Sequence, residues 1–299
     1  MKVSILIPYY NRPKHIKKCI ESIYFTQLNC ANSIHLEVVI IDDGSSPSLE
    51  IVDLGRVPSL EVKLISIKEN RGVASARNIG LKNVTGEWTV LLDSDNLLTT
   101  SFLTDFLDIV SQPKKFDVIW MRSFSIENGI LNNTKTEFGI IHKPYKYLKK
   151  FHGEFLPIIS GKITKNLKYV EGIKGVGTEP IFWMQVFAKY NLYISKNIGQ
   201  IYDDSSIDRL SSFVTRMSCS KGHLELNKRG LKEANRLIAP TKLFFIIRVA
   251  YYSALTKQGN KNHQLTFTEL DKKIVQYFSI FILKKIFIFS FKLRLLKSK

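Results

Sequence analysis

The chain has 299 residues, 44% of them hydrophobic and 23% charged, and a formal net charge of +18 at pH 7. That length and apolar share can bury a full core in one large or two small domains, and three widely spaced cysteines without metal-ligand spacing exclude a disulfide-stapled or zinc-bound scaffold. The positive excess admits nucleic acid or an anionic membrane surface as a partner, and its placement along the chain decides between them.

Met1-Lys2 leads directly into an apolar run, residues 3–7, which ends in Pro8-Tyr9-Tyr10-Asn11. The run is too short for the apolar stretch of a signal peptide and reads as a first core strand. A helix is expected over residues 13–28, because Pro13 suits a first helical turn and Ile16, Ile20, Ile23 and Tyr24 share one face. A strand at 37–41 ends in Asp42-Asp43-Gly44-Ser45-Ser46, and another follows at 61–67. Gly72 precedes a helix over 73–81 that carries Arg77 one turn in. The strand at 88–92 stops abruptly at Asp93-Ser94-Asp95. A helix at 101–110 and a strand at 117–122 come next, and residues 125–170, with weak periodicity, read as variable acceptor-side loops. This alternation predicts an α/β fold with a mostly parallel, Rossmann-like sheet flanked by helices. No G-x-G-x-x-G stretch is present, which argues against a dinucleotide-binding oxidoreductase.

Three strands thus end in polar, ligand-capable residues. In an open α/β sheet the C-terminal edge is where ligands bind. Asp93 and Asp95 stand at i and i+2 and point the same way while the chain stays extended. Two carboxylates facing one spot repel unless a cation lies between them, and oxygen ligands of this density suit Mg²⁺ or Mn²⁺, ions that usually hold phosphates as well. One such strand end is ordinary turn chemistry. Three on one edge build a site, in which carboxylates accept from a base or ribose and a tyrosine stacks on a base.

Residues 4–11 (SILIPYYN), 39–46 (VIIDDGSS), 70–80 (NRGVASARNIG) and 91–96 (LLDSDN) resemble, in order and spacing, the four signature segments of the family 2 glycosyltransferases. The resemblance is close over residues 1 to about 100, weaker to about 215 and absent beyond. It implies a GT-A fold and an inverting, metal-dependent transfer from a nucleotide-diphosphate sugar, expected to be a UDP-sugar. The implied donor site comprises Pro8, Tyr10, Asn11, Asp42, Asp43, Arg77, Asp93, Ser94 and Asp95. Tyr10 and either Asp42 or Asp43 would hold base and ribose, Asp93 would contact the nucleotide-sugar, and Asp95, with Asp93, would bind Mn²⁺ or Mg²⁺ at the diphosphate. The implied acceptor is a saccharide, expected to be lipid-linked and to serve cell-surface polysaccharide.

Residues 175–187 place glycines and an acid before a helix bearing Phe182, Trp183, Val186 and Phe187, with Thr178 at a capping position and Pro180 in the first turn. The family keeps a Glu-Asp pair at the start of such a helix, and its carboxylate is the catalytic base. Here the pair is Glu179-Pro180, so Glu179 is the candidate base, with Asp203 and Asp204 as alternatives. The six histidines are scattered without metal-ligand spacing.

Beyond residue 235 the composition changes. Residues 241–299 hold twelve Lys or Arg against Glu269 and Asp271, interleaved with apolar clusters at 243–247, 249–252, 274–283 and 286–291. Lys284-Lys285 and Arg248 interrupt the longest apolar stretches, so a spanning helix is not expected. Amphipathic helices of this mix lie in a membrane interface and are drawn to anionic headgroups. The competing reading is a packing or dimer contact, and no nucleic-acid-binding motif accompanies the charge. The expected organisation is a glycosyltransferase domain over 1–235, with its nucleotide-sugar half over 1–100 and its acceptor half over 101–235, then an amphipathic segment over 236–299. The expected location is cytoplasmic, peripheral to the inner face of the cell membrane. A nucleotidyltransferase and a sugar-binding protein that has lost its base are the alternative functions, the latter kept open by Pro180.

Overall fold

The computed structural model describes residues 1–30, 34–54, 60–113, 115–130, 138–142, 144, 153–173, 176–202, 219–236, 246, 249, 252 and 253. The chain divides into two units, Met1–Ile246 and Ile247–Lys299. Nearly all of the second unit, and Asp203 and Asp204 in the first, lie outside the described residues. Among the described residues no helix is long and apolar enough to cross a membrane.

The first unit begins β1 (Lys2–Tyr9), α1 (Pro13–Leu28), β2 (His35–Asp42), β3 (Glu61–Ser66), α2 (Val73–Asn83), β4 (Trp88–Leu91), β5 (Leu97–Leu98), α3 (Phe102–Val110) and β6 (Val118–Ser125). It continues with β7 (Gly129–Ile130), β8 (Gly139–Ile141), β9 (Phe155–Ser160), α4 (Gly161–Thr164), α5 (Glu179–Phe187), β10 (Leu192–Tyr202) and α6 (Ser220–Arg236). The sheet order is β3-β2-β1-β4-β9-β6-β10-β5, with β7 on β6 and β8 on β10. β1 to β4 pair in parallel, and β6 pairs in parallel with β10. β9 runs antiparallel between β4 and β6, so β6 points the same way as β4. The C-terminal ends of β1, β2, β4 and β6 therefore share one edge.

Residues 125–170 hold more than loops. β9 is a central strand with Leu156, Ile158 and Ile159 buried. Its sequence hides it, because Pro157, opposite Trp120 in the register, ordinarily argues against an interior strand. β10 is likewise interrupted to the eye by Lys196-Asn197, where the register with β6 shifts.

Core side chains lie on both faces of the sheet. On one, Ile5, Ile7, Val38 and Ile40 meet Ile16, Ile20 and Ile23 of α1 and Phe102 and Phe106 of α3. On the other, Leu6, Val39 and Ile41 meet Ala76 and Leu81 of α2, and Trp120 and Ile159 meet Phe182 and Phe187 of α5. Burying each large apolar side chain contributes about 1.5–3 kcal/mol. Helix α2 lies unusually close to β1, since a Cβ on Gly80 would fall 2.0 Å from Leu6 Cδ1. That approach sets the depth at which Arg77 enters the site.

Glu37 is a buried acid in the middle of β2. It accepts bonds from Ser4 Oγ, from Thr85 N at 2.9 Å and from Thr85 Oγ1 at 3.0 Å. Burial alone would raise its carboxyl, but these donors and Lys2 outweigh it and hold the acid below its usual range. The network fixes the turn that feeds β4, and with it the register of Asp93.

Candidate active site

Two of the strand ends are built by their own acids. Asp42, fully buried, accepts Ser45 N at 3.0 Å on one carboxylate oxygen and Leu49 N at 2.9 Å on the other. Asp43 accepts Arg71 N at 2.9 Å and Gly72 N at 2.7 Å, which ties the β2 end to the start of α2. Burial pushes the Asp43 carboxyl up, and these two amides oppose it. Asn11, at φ +50°, donates its amide to Ser45 Oγ at 2.9 Å and accepts Ser46 N at 2.9 Å on its side chain. Gly44, at φ +74°, has backbone of Glu69 and Asn70 where a Cβ would sit, so only glycine fits there. Pro8 pairs with Ile41 one residue before the end of β1, and the Tyr10 ring just past that end is exposed and open to a planar ligand.

The other acids meet cations. Asp95 pairs with the Arg12 guanidinium, and Arg77 Nη2 donates to Asp93 Oδ1 at 2.7 Å. Burial and then the nearby Asp93 charge raise the Asp95 carboxyl, with Arg12 opposing. Arg77 Nη1 reaches Glu179, the first residue of α5. Burial works against the charge on Arg77, but Asp93 and Glu179 outweigh it and keep the guanidinium protonated. Its plane lies over Tyr169 at 5.4 Å from the ring centroid, and Tyr169 stacks on Phe182 of α5 at 3.8 Å. Ser94 is buried between the two aspartates in sequence. The structure therefore brings Arg77, Asp93 and Glu179 together and sets Asp95 beside them. Burial pushes the Cys19 thiol up, and its Sγ lies 3.9 Å from Asp93 O, so Cys19 is a packing residue and not a nucleophile.

At the start of α5, Pro180 occupies the first turn, where a missing N–H costs no helical bond. The replacement of the family's aspartate by proline thus leaves the helix start intact. Thr178 stands at the N-cap, but its buried hydroxyl makes no capping bond. Arg12, Tyr169 and Phe182 were not legible as site residues. Arg12 carried the one available signal, a cation immediately after the polar end of β1.

Gly177 lies against the candidate base, because a Cβ there would fall 2.2 Å from Glu179 Oε2. The atom it would meet ends a flexible side chain, so Gly177→Ala should displace the carboxylate rather than the fold. Expected are a melting temperature within about 2 °C of wild type, unchanged UDP affinity and a turnover lower by roughly 10-fold. Steady-state kinetics with calorimetry of UDP binding checks this, and an unchanged turnover would remove Glu179 from the reaction.

Comparison with known proteins agrees with this geometry. The family model for glycosyl transferase family 2 matches residues 4–169, from β1 through Tyr169. A GalNAc(5)-diNAcBac-PP-undecaprenol beta-1,3-glucosyltransferase of Campylobacter jejuni is 23% identical over 286 residues, covering 91% of this chain and 89% of that protein. Several other matched glycosyltransferases, among them uncharacterized ones of Rickettsia felis and Rickettsia conorii, are longer, and the matches cover 33% and 32% of their lengths. The crystal structure of Staphylococcus aureus TarS 1–349 with UDP-GlcNAc superposes with a TM-score of 0.62 at 17% identity, covering 89% of this chain and 77% of that one. The mannosyltransferase PcManGT of Pyrobaculum calidifontis, with GDP-Man and Mn²⁺, gives 0.51 at 15% identity, covering 93% and 79%. Sheet, strand-end acids and family match together establish that this chain has the GT-A fold and belongs to glycosyl transferase family 2.

Proposed function

We propose that the protein is an inverting hexosyltransferase that moves a sugar from a UDP-sugar to a hydroxyl of a lipid-linked saccharide, in cell-surface polysaccharide synthesis at the inner face of the cell membrane. The observation that carries this reading is the bridge through Arg77. It holds an acid from the donor edge, Asp93, and the acid that opens α5, Glu179, on one guanidinium. A UDP-GlcNAc complex among the structural neighbours supports the donor class, and the Campylobacter relative's PP-undecaprenol substrate supports the acceptor class.

Asp93 and Asp95 fit a divalent cation, since both offer oxygen alone and burial beside a like charge already raises Asp95. Two protein carboxylates would leave the ion's other positions to the diphosphate and water. When bound, the ion supplies positive charge to the diphosphate leaving group. The remaining work falls to side chains. The exposed Tyr10 ring offers a stacking surface to uracil, and Asp42 and Asp43 hold the loops that frame base and ribose. Arg12 and Arg77 add fixed positive charge where the leaving group gains negative charge. Glu179 accepts the proton of the attacking hydroxyl, because an alkoxide does not persist at neutral pH. Attack from the face opposite the nucleotide inverts the anomeric centre.

Incubation with a panel of UDP-sugars and a short-chain lipid-linked saccharide tests the reaction, with UDP release and the product's anomeric configuration as readouts. A β-linked product from an α-linked donor is expected. Retained configuration, or donor hydrolysis that ignores the acceptor, would contradict the proposal.

The C-terminal segment supplies the proposed membrane contact. Its twelve basic residues against two acids give ten net charges, each contributing about 1 kcal/mol at most near an anionic bilayer. Its Phe, Ile and Leu clusters would add a component that salt does not screen. Binding to anionic vesicles should therefore weaken but persist at high salt, and truncation near residue 240 should release the protein while sparing UDP binding. Vesicle co-sedimentation of both forms checks this. If full-length protein stays in the supernatant, the segment serves packing or dimerisation instead.

A further inference from the structure

Strand β6 carries a charge that the donor chemistry does not use. Arg122 lies in its C-terminal half, opposite Phe155 on β9 and Ile198 on β10. Alternation along the strand puts it on the face of Trp120, against which Trp183 and Phe187 of α5 pack. Because β6 points the same way as β4, its end reaches the edge that holds Asp93 and Asp95. Arg122 stands two residues, about 6.6 Å, nearer that edge than Trp120. Glu179 stands four residues, about 6 Å, before Trp183 on α5. Both are thus displaced from one aromatic contact toward the same edge.

Arg122 is half-buried, and an aromatic ring faces it. Its guanidinium lies 5.7 Å from the Phe138 ring centroid, and its Nε and Nη2 are buried without a hydrogen-bond partner. No carboxylate pairs with it among the described residues. By contrast, Arg12 has Asp95, and Arg77 has Asp93 and Glu179. Removing a cation from water without a counter-charge is costly, and a planar guanidinium with unused donors is matched by an oxyanion. Only β9 separates β6 from β4, so about two strand spacings, near 9.6 Å, lie between this cation and the donor strand.

We infer that Arg122 is the anion-binding residue of the acceptor subsite, gripping a phosphate or carboxylate of the acceptor while its hydroxyl is presented to Glu179. This rests on the transferase reading and names the acceptor's chemistry. Thermal unfolding of the full chain tests it, with UDP and Mn²⁺ saturating the donor site and benzyl phosphate, benzoate or benzyl alcohol titrated in. At least one anion should raise the melting temperature, the neutral alcohol should not, and Arg122→Gln should weaken the anion's binding by 10-fold or more. Whichever anion binds more tightly assigns the oxyanion as phosphate or carboxylate. Arg122→Met should melt at or above the wild-type temperature, because it removes a half-buried charge that has no partner among the described residues, whereas loss of an arginine with a structural role would lower it. Absence of protection by either anion, equal protection in Arg122→Gln, or an early-melting Arg122→Met overturns the inference. Failure of the donor reading shows separately, as loss of the UDP effect in wild type. Asp95→Ala should lose the Mn²⁺-dependent part of the UDP effect and keep the anion effect.

Discussion

Asp95→Ala should lower sugar transfer by roughly 10³-fold and remove the Mn²⁺ dependence of UDP binding. Asp93 and Asp95 follow the end of β4 at Leu91 in a turn, closed by Asn96 N donating to Asp93 O at 3.0 Å, rather than in the extended chain expected from sequence. Burial and the nearby Asp93 raise the Asp95 carboxyl, with Arg12 opposing. A divalent cation would relieve that crowding, and the diphosphate would tie it to the donor. Without Asp95 the ion keeps one protein carboxylate, which is too few for tight binding by a hard cation. Asp95→Asn preserves shape and removes charge, so a loss in both variants separates ligation from packing. Calorimetry of UDP with and without Mn²⁺ decides, and an unchanged Mn²⁺-dependent affinity in either variant contradicts the assignment.

Glu179→Gln should reduce turnover by about 10²-fold or more while UDP affinity stays within about 2-fold of wild type. The amide keeps the length of the side chain and can still meet Arg77, but it cannot take a proton. Glu179 is joined to Asp93 only through Arg77, so donor binding has no direct need of its charge. Full activity in this variant would move the role to Asp203, Asp204 or another acid. A parallel loss of UDP affinity would instead make Glu179 part of the donor site.

The first hundred residues are legible because their signals are local. An apolar run followed at once by Asp42-Asp43 or Asp93-Ser94-Asp95 needs no tertiary knowledge to be placed at a strand end. The same locality made helices α1, α2 and α3 readable within a residue or two. The part of the chain beyond residue 100 depends on contacts distant in sequence. β9 became a strand despite Pro157 because β4 and β6 flank it, and periodicity does not record neighbours. Tyr169 reaches the site because Arg77 lies over its ring and Phe182 stacks beneath it, a sandwich drawn from three separate elements. Arg12 and Arg122 look alike in sequence, each a cation near a strand end. Only the structure shows that one has a carboxylate and that the other has none among the described residues. Asp42 and Asp43 gave the reverse lesson. Their sequence setting suggests ligand groups, and in the structure both oxygens of each carboxylate accept backbone amides of the loops around the site.

The proposed function requires that the strand-end acids form a UDP-sugar site that works with a divalent cation. Thermal unfolding of the full chain with UDP, GDP or ADP, each with and without Mn²⁺, tests it most directly. A ligand at 100 times its dissociation constant stabilises the native state by about 2.7 kcal/mol, so UDP with Mn²⁺ should raise the melting temperature by roughly 5–10 °C. UDP alone, and either purine nucleotide, should shift it much less, and Asp95→Ala should erase the Mn²⁺-dependent part. Stronger protection by GDP or ADP, or a UDP shift that survives intact in Asp95→Ala, would contradict the account.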